Sequence, residues 1–484
     1  MSILQRSIDQ FPDLLALHRD NSDRYPFFLE SVNPHTPLSV AAKSGVDQNN
    51  NQSRWDILFA FPGQRLELGS DGQLRGDAPV NTGNDSDFLN QLDDWWQQES
   101  VSTVAGTTLP FQGGWFIYLA YELAGQIEPV LHLPRLSASA WPTAMAVRCP
   151  AAILRDHEQQ RIILVAESES AAYLDMMAAD LHRLAEPLDA ASANDDTTAM
   201  IVLDDFHEAP AQQFLTAVER IKDYITDGDV FQVNLSRSWK GRLASAGTQA
   251  ADLYQALRRH NPAPFAALCV QQDWAIISSS PERLVCIDGE RNVETRPIAG
   301  THPRRSNPVD DQRLAQALLH HPKERAEHIM LIDMERNDLG RVCQAGTIEV
   351  NELMALESYA HVHHIVSNVR GHLRDGISPG AVIRAVFPGG TITGCPKVRC
   401  MEIIAELEQD ERGPYTGSLG YLNRDGSLDL NILIRSLALS GQQLSLRAGA
   451  GIVSDSIPTR ELAETRSKAR GLLLALGCVD SAEQ

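Results

Sequence analysis

From residue 211 onward the apolar pattern switches between helical and strand periodicity without regular alternation, which argues against Rossmann and P-loop folds. AQQFLTAVERIKDYITDGD places apolar residues at 214, 215, 218, 221, 224 and 225, the spacing of one helix face, before a turn at Gly228. The strand VFQVNLSRSW follows. Then come the short strands WAIISS, RLVCI and NVETRP, a long helix over 310–339, a helix over 396–407, the strands SLGYL and LDLNILIRSLAL, and a last helix over 459–476. Neither GxGxxG nor GxxxxGK[ST] occurs, so the phosphate-cradling loops of those folds are missing too. The expected class is α+β.

With 484 residues the chain is too long for one ordinary compact core, so two subdomains or one large composite domain are expected. Residues 1–188 read as mixed strands and loops. RWDILFAFP (54–62) and RIILVAES (161–168) have strand character and FLNQLDDWWQQ is helical, but no motif there carries chemistry. The polar stretch DAASANDDTTAM (189–200) has too little apolar content to pack, which places a linker over 189–207 and a second region over 208–484. No apolar run approaches the roughly 20 residues of a membrane span. The start MSILQRSIDQF lacks the features of a secretory signal, and the seven cysteines are scattered and never form CxxC. A cytoplasmic protein with reduced thiols and no zinc site is expected. A net charge of −21 repels nucleic acid and anionic membranes, so neither is an expected partner. An anionic substrate must then be held locally, by a few buried cations, by backbone amides or by a divalent metal.

Two helices carry carboxylates three residues apart, Glu324 with Glu327 in KERAEH and Glu461 with Glu464 in ELAET. Positions i and i+3 share a face, so each pair can point into one cavity, and hard cations such as Mg²⁺ take carboxylate oxygens. A solvated helix face is the plainer reading of either pair alone. Glu282, in SSSPERL, follows a proline at a strand-to-turn boundary, which suits a general acid or an ordinary surface glutamate. HVHHIVS puts His361 and His363 on one strand face and His364 on the other, an arrangement for a general acid or a structural hydrogen bond more than for zinc. PGGTITGCPK (388–397) and RAGAGIV (447–453) are small-residue loops that bring backbone amides close to a ligand or simply make tight turns. Arg435, inside the apolar run LNILIRSL, needs an anion, either a substrate carboxylate or an internal ion pair. Lys468, one helical turn beyond Glu464, supplies a second cation on the same face.

Taken in order, GDVFQVNLSR, SSSPERL, ETRPIAGTHPR, AEHIMLIDMERNDLGRV, HVHHIVSNVRG, FPGGTITGCPKVRCMEIIAELE, GPYTGSLGYL and RAGAGIVSDSIPTRELAET resemble the chorismate-utilising enzymes. That family includes anthranilate synthase component I, aminodeoxychorismate synthase component I, isochorismate synthases and salicylate synthases. The likeness covers nearly all of 210–475. FFLES (27–31), RWDIL (54–58) and FQGGWFIYLAYE (111–122) extend it to the amino-terminal region of the two ammonia-using members. The resemblance implies two antiparallel sheets packed as a sandwich surrounded by helices. It implies Mg²⁺ on Glu327 and Glu464, with Glu324 and Glu461 as neighbours. It implies chorismate held by Gly300, Thr301, Thr393, Tyr415, Arg435, Gly449, Ala450, Gly451 and Lys468. Glu282 is then the general acid that helps the ring hydroxyl leave, His364 the active-site histidine, and Lys397 a further catalytic position.

Gln232 stands where isochorismate and salicylate synthases have a lysine that activates water, which implies ammonia as nucleophile, supplied by a separate glutamine amidotransferase subunit in a heterodimer. Ala299, in PIAGT, replaces the ring-attacking lysine of the PIKGT motif common in aminodeoxychorismate synthases. PIAGT and FFLES are similar to anthranilate synthase, whose inhibitory tryptophan site corresponds to Ser31, Pro264 and Phe265, although NPAPFAA (261–267) stands in place of NPSPYMF. GGTITGCPK, VHH and DLNILIRSL are similar to aminodeoxychorismate synthase. In its PIAGT subclass ammonia itself is thought to replace the lysine, adding first at ring carbon two to give 2-amino-2-deoxyisochorismate and then at carbon four. Aminodeoxychorismate synthase component I, which serves p-aminobenzoate and folate synthesis, is the expectation. Anthranilate synthase component I, which serves tryptophan synthesis, is the alternative, and an inactive chorismate-binding protein is the alternative of another class.

Overall fold

The structure, a computed structural model, describes residues 3–9, 11–32, 54–80, 87–102, 109–134, 141–185, 201–304, 307–358 and 362–478. Among them two antiparallel sheets, of 12 and 11 strands, pack face to face with helices on both outer surfaces. The first sheet runs through Ile3–Ile8, Arg161–Glu167, Ala151–Asp156, Trp55–Ala60 and Phe27–Glu30. It continues through Phe265–Val270, Trp274–Ser280, Ser436–Ser440, Gln443–Ile452, Gln232–Leu243 and Leu203–Glu208. The second runs from Ile298–Pro303 through Val362–His372, Asn292–Thr295, Arg283–Ile287, Leu428–Asn431 and Ser418–Asn423. It then passes to Gly114–Leu119, Ala144–Cys149, Arg65–Leu68 and Leu74–Gly76. The expected sandwich is present.

Both sheets are built from both halves of the chain. In the first, Phe28 lies opposite Leu268; in the second, Ile117 lies opposite Gly420. Side chains alternate across a strand, so a strand covered on both faces is apolar at every position. Phe27, Ile57, Phe59, Phe116 and Tyr118 fill the layer between the sheets, where the rings of Phe27 and Phe116 stack at 4.0 Å. Their neighbours Phe28, Leu58 and Ala60 face the helices Leu14–Asp20, Ala172–Ala185, Ala250–His260 and Pro458–Ala475. Trp115, Ile117 and Leu119 face Phe88–Glu99, Pro322–Gly340 and Pro379–Val386. This double coverage explains runs such as FFLE and GWFIYL.

Several expectations change. The long helix over 310–339 is two helices, Pro308–His320 and Pro322–Gly340. Pro322 has no N–H to give and disfavours helical geometry at His321, so the first helix stops there and the proline opens the next. LDLNILIRSLAL is also two elements. Leu428–Asn431 belongs to the second sheet and Ser436–Ser440 to the first. Arg435 therefore sits in the crossing between sheets, with φ at +53°, and not inside a buried strand. Of the linker over 189–207, residues 189–200 lie outside the described residues, as does His361, while 203–207 belong to the strand Leu203–Glu208. All seven cysteines are free. No described helix is long and apolar enough to cross a membrane.

Candidate active site

The chain crosses from one sheet to the other at 281–282 and at 432–435, and the two crossings are bonded together. Ile432 N–H donates to the Glu282 carbonyl at 3.0 Å, Ser279 N–H to the Arg435 carbonyl at 3.0 Å, and Ser280 Oγ to the Ile432 carbonyl at 2.5 Å. Strands paired with each other in one sheet thus leave together for the other. The consequence is that Glu282 and Arg435, far apart in sequence, share one corner.

Glu282 is 5% exposed, and burial pushes its carboxyl up to about 7. Opposing that shift are the Thr391 hydroxyl, which donates to Glu282 Oε1 at 2.8 Å, a bond from the Ile298 backbone, and the charges of Lys468 and Arg435. A carboxylic acid that titrates near neutrality holds a proton and can release it. His364 is the reverse case. Burial, then the charge of Arg435, pushes its imidazole down to about 3, against a hydrogen bond to the Gly300 backbone, so it is neutral at pH 7. Burial likewise lowers Arg435, whose charge faces Tyr415, Glu282 and Glu464.

The wall opposite is the strand Gln443–Ile452, paired with Gln232–Leu243 so that Asn234 opposes Gly451 and Ser236 opposes Gly449. A Cβ at position 451 would lie 2.3 Å from Gln232 Nε2 and one at 449 would lie 2.8 Å from the Tyr415 hydroxyl, so only glycine leaves room for these side chains. Gln232 Nε2 donates to Glu327 Oε1 at 2.7 Å. The helix carrying Glu327 is aimed by its neighbour His328, whose Nε2 bonds Ser367 Oγ at 2.6 Å on the strand that also carries His364. Glu324 Oε2 lies 2.8 Å from where a Cβ of Gly300 would be, and Gly300 has φ +65°, so glycine is required there twice over. Lys468 Nζ donates to the Gly449 carbonyl at 3.0 Å and pairs with Glu464 at 2.7 Å. Glu461, on the same helix, is buried.

The structure thus brings Glu282, His364, Gln232, Gly300, Glu324, Glu327, Tyr415, Arg435, Gly449, Gly451, Glu464 and Lys468 into one connected neighbourhood. Thr301 opposes His364 in the sheet register. Three other residues point elsewhere. Ala450 turns its methyl to the opposite side, into the cluster with Val218, Ile221 and Ile403. Thr393 Oγ1 donates to the carbonyl of Gly389 at 2.9 Å, within its own loop. Lys397 is committed to Asp338 and, at 3.2 Å, to the Val386 carbonyl. The threonine that meets the acid is Thr391, inside the same 388–397 loop. Ala299 packs its methyl against Leu331 and Met334.

Pro264 and Phe265 line a separate cavity of about 290 Å³ between the sheets, with Leu29, Glu30, Ile57 and Tyr421. Ser31 does not line it; it is buried beside it, with its N–H on Asp56 Oδ1 at 2.9 Å.

Among the described residues no three His, Cys, Asp or Glu side chains form a ready-made metal cage. The oxygen donors present, carboxylates from two helices facing one glycine strand, suit a hard cation that takes one or two protein carboxylates and fills its shell with water and substrate.

The chain as a whole has known relatives. The family of chorismate binding enzymes matches residues 48–474. An anthranilate synthase component I-like protein of Synechocystis sp. is 41% identical over 392 residues, 80% of this chain and 78% of its own length. Aminodeoxychorismate synthase component 1 of Bacillus subtilis is 41% identical over 403 residues, 81% and 83% of the two chains. The crystal structure of anthranilate synthase component I from Streptococcus pneumoniae superposes with a TM-score of 0.75 at 30% identity, covering 90% of this chain and 98% of that one. The chain belongs to the chorismate binding enzymes, and within them to the group of anthranilate and aminodeoxychorismate synthases.

Proposed function

We propose that the chain is the synthase subunit of an aminodeoxychorismate synthase, converting chorismate and ammonia to 4-amino-4-deoxychorismate. The observation that carries the ammonia part is Gln232, whose amide is bonded to Glu327. An amide is no base at neutral pH, so water at this position stays unactivated, whereas ammonia already is a nucleophile. Ala299 offers no amine for covalent attack. The TITGCP loop and VHH segment favour the 4-amino product.

In this reading Arg435 and Lys468 hold the carboxylates of chorismate, and Glu282 stands at the ring hydroxyl. Glu327 and Glu464, with Glu324 and Glu461 beside them, would hold a magnesium ion, which when bound would supply positive charge toward a substrate carboxylate. The lone pair of ammonia forms the C–N bond at ring carbon two while the C–O bond at carbon four breaks. The Glu282 proton leaves on that oxygen as water, and the new ammonium group returns a proton to the Glu282 carboxylate. A second ammonia adds at carbon four and expels the first. Neutral His364 serves as a hydrogen-bonding group in this step, not as a proton carrier. The nitrogen comes from a separate glutamine amidotransferase subunit, as the component naming of the relatives suggests.

The test is a product assay. Purified protein with chorismate, Mg²⁺ and ammonium chloride is expected to form 4-amino-4-deoxychorismate. The second reading, anthranilate synthase, is favoured by the equal identity to a relative of that name, and fluorescent anthranilate as the sole product decides for it. We assign the inter-sheet cavity to an aromatic amino acid such as tryptophan, with Glu30 in its lining; calorimetric titration with tryptophan tests this.

A further inference from the structure

The loop that carries Thr391 to Glu282 begins where the helix Pro379–Val386 ends, and that helix is held from the amino-terminal region. Asp93, on the helix Phe88–Glu99, sits across its first turn. Asp93 Oδ1 accepts the Gly380 N–H at 2.7 Å, and Asp93 Oδ2 accepts the Ser378 hydroxyl at 2.5 Å. A Cβ at position 380 would lie 2.6 Å from Asp93 Oδ2, so glycine lets the carboxylate close directly on the main chain. Burial pushes the Asp93 carboxyl up to about 6, against the bonds from Ser378 and Gly380 and the charge of Arg384, with Asp94 as its like-charged neighbour. It is therefore mostly ionised at pH 7, an anion at a helix N-terminus.

The remaining contact between the two helices is apolar or reaches through a long side chain. Val382, Ile383 and Val386 share a cluster with Leu89, Leu92 and Trp95, and Arg384 pairs with Asp87 at 2.8 Å with both side chains partly exposed. Apolar packing is non-directional and tolerates sliding, whereas a bond to a backbone N–H fixes the main chain itself. At the far end of the helix Phe387 N–H still donates to the Ile383 carbonyl at 2.8 Å. The chain then turns into Gly389, where a Cβ would lie 3.0 Å from Ile432 and 3.3 Å from Leu284, beside both crossings between the sheets. Two residues later Thr391 meets Glu282 at 2.8 Å, a bond that a shift of about 1 Å breaks.

We propose that Asp93 is a positioning residue for the general acid. By clamping the helix Pro379–Val386 at Ser378 and Gly380 it sets the Thr391 hydroxyl on Glu282. This rests on the reading of Glu282 as the acid. It gives the amino-terminal region a part in proton transfer without contact to substrate.

The experiment reads the alkaline limb of kcat/KM for chorismate, at fixed free ammonia, which follows Glu282. Asp93→Ala removes both bonds and is expected to move the limb up by about half to one unit, as far as Thr391→Val moves it. The double variant is expected to go no further than Thr391→Val alone, because both substitutions act on one bond. Asp93→Asn loses the charge but keeps an oxygen for Gly380 and an amide for Ser378, and is expected to return the limb to the wild-type position. An Asp93→Ala limb at the wild-type position overturns the proposal, as do shifts that add in the double variant. So does an Asn variant displaced as far as the Ala variant, which marks a plain effect of charge. Should Asp93→Ala melt early, Ser378→Ala removes one of the two bonds and is judged alike, a shift that is absent or additive with Thr391→Val overturning the clamp. A wild-type profile without an alkaline limb instead removes the acid reading itself.

Discussion

The Thr391 hydroxyl donates to Glu282 Oε1 at 2.8 Å, on a carboxyl that burial has raised to about 7. The bond favours the carboxylate and so works against the burial. As a general acid Glu282 must be protonated, so kcat/KM for chorismate at fixed free ammonia should fall about tenfold per pH unit above roughly pH 7. Thr391→Val removes the bond, raises the carboxyl further and should move that alkaline limb up by about half to one unit. Glu282→Gln should lose the limb along with most of the turnover. A profile that is flat from pH 6 to 9 in the wild type would falsify the assignment.

The ion pair of Lys397 with Asp338 is structural by its surroundings, with side chains 15% and 7% exposed and Glu335 close by, raised to about 8 by burial and then by the charge of Asp338. Removing the cation strands the buried Asp338 carboxylate beside a Glu335 that is already held protonated. Lys397→Met should cost about 3–5 kcal/mol, and adding Asp338→Asn should recover at least about half of it. Urea unfolding of the single and double variants measures this. A Lys397→Met protein of wild-type stability that has lost turnover would return the lysine to a catalytic role.

Metal removal should separate binding from chemistry. Dialysis against EDTA is expected to abolish turnover, and added Mg²⁺ to restore it. Glu327→Gln should raise the Mg²⁺ concentration for half-maximal rate by about tenfold or more, with far-UV circular dichroism unchanged. Full activity after chelation contradicts the assignment of Glu327 and Glu464 to a metal.

The shared sheets forbid independent folding of the second region. Without residues 1–188, the strands Phe265–Val270 and Ser418–Asn423 lose the partners Phe27–Glu30 and Gly114–Leu119, and the Phe27 and Phe116 rings vanish from the layer between the sheets. Residues 208–484 expressed alone should aggregate or melt without cooperativity, and co-expression of 1–188 should restore a cooperative transition. Within the full chain, Phe116→Ala should cost about 3–5 kcal/mol. A soluble, cooperatively melting 208–484 fragment contradicts this picture.

Much of the site is legible in the sequence because it is local. Glu327 and Glu324 share a helix face by spacing, as do Glu464 and Lys468, and the glycines at 449 and 451 announce close approach. Gln232 and Ala299 are informative because each stands where a lysine would define another chemistry. What misled were residues whose partners are remote. Thr393 and Thr391 are two residues apart, and nothing local tells which reaches Glu282. Lys397 looks available until Asp338, on another helix, takes its amine. Pro322 is itself a local signal, enough to divide the helix over 310–339.

By itself, the sequence determined the α+β class and the family of chorismate binding enzymes, and it singled out candidate site residues that the fold brings near one another, since periodicity and short motifs depend on near neighbours. Only the tertiary structure decided that the halves interleave in both sheets, that LDLNILIRSLAL crosses from one sheet to the other at Arg435, and that the crossing at Glu282 lies against it. Those outcomes rest on strand pairing between segments more than a hundred residues apart. The protonation states of Glu282 and His364 follow from the same source, because burial beneath two sheets is the largest influence on each.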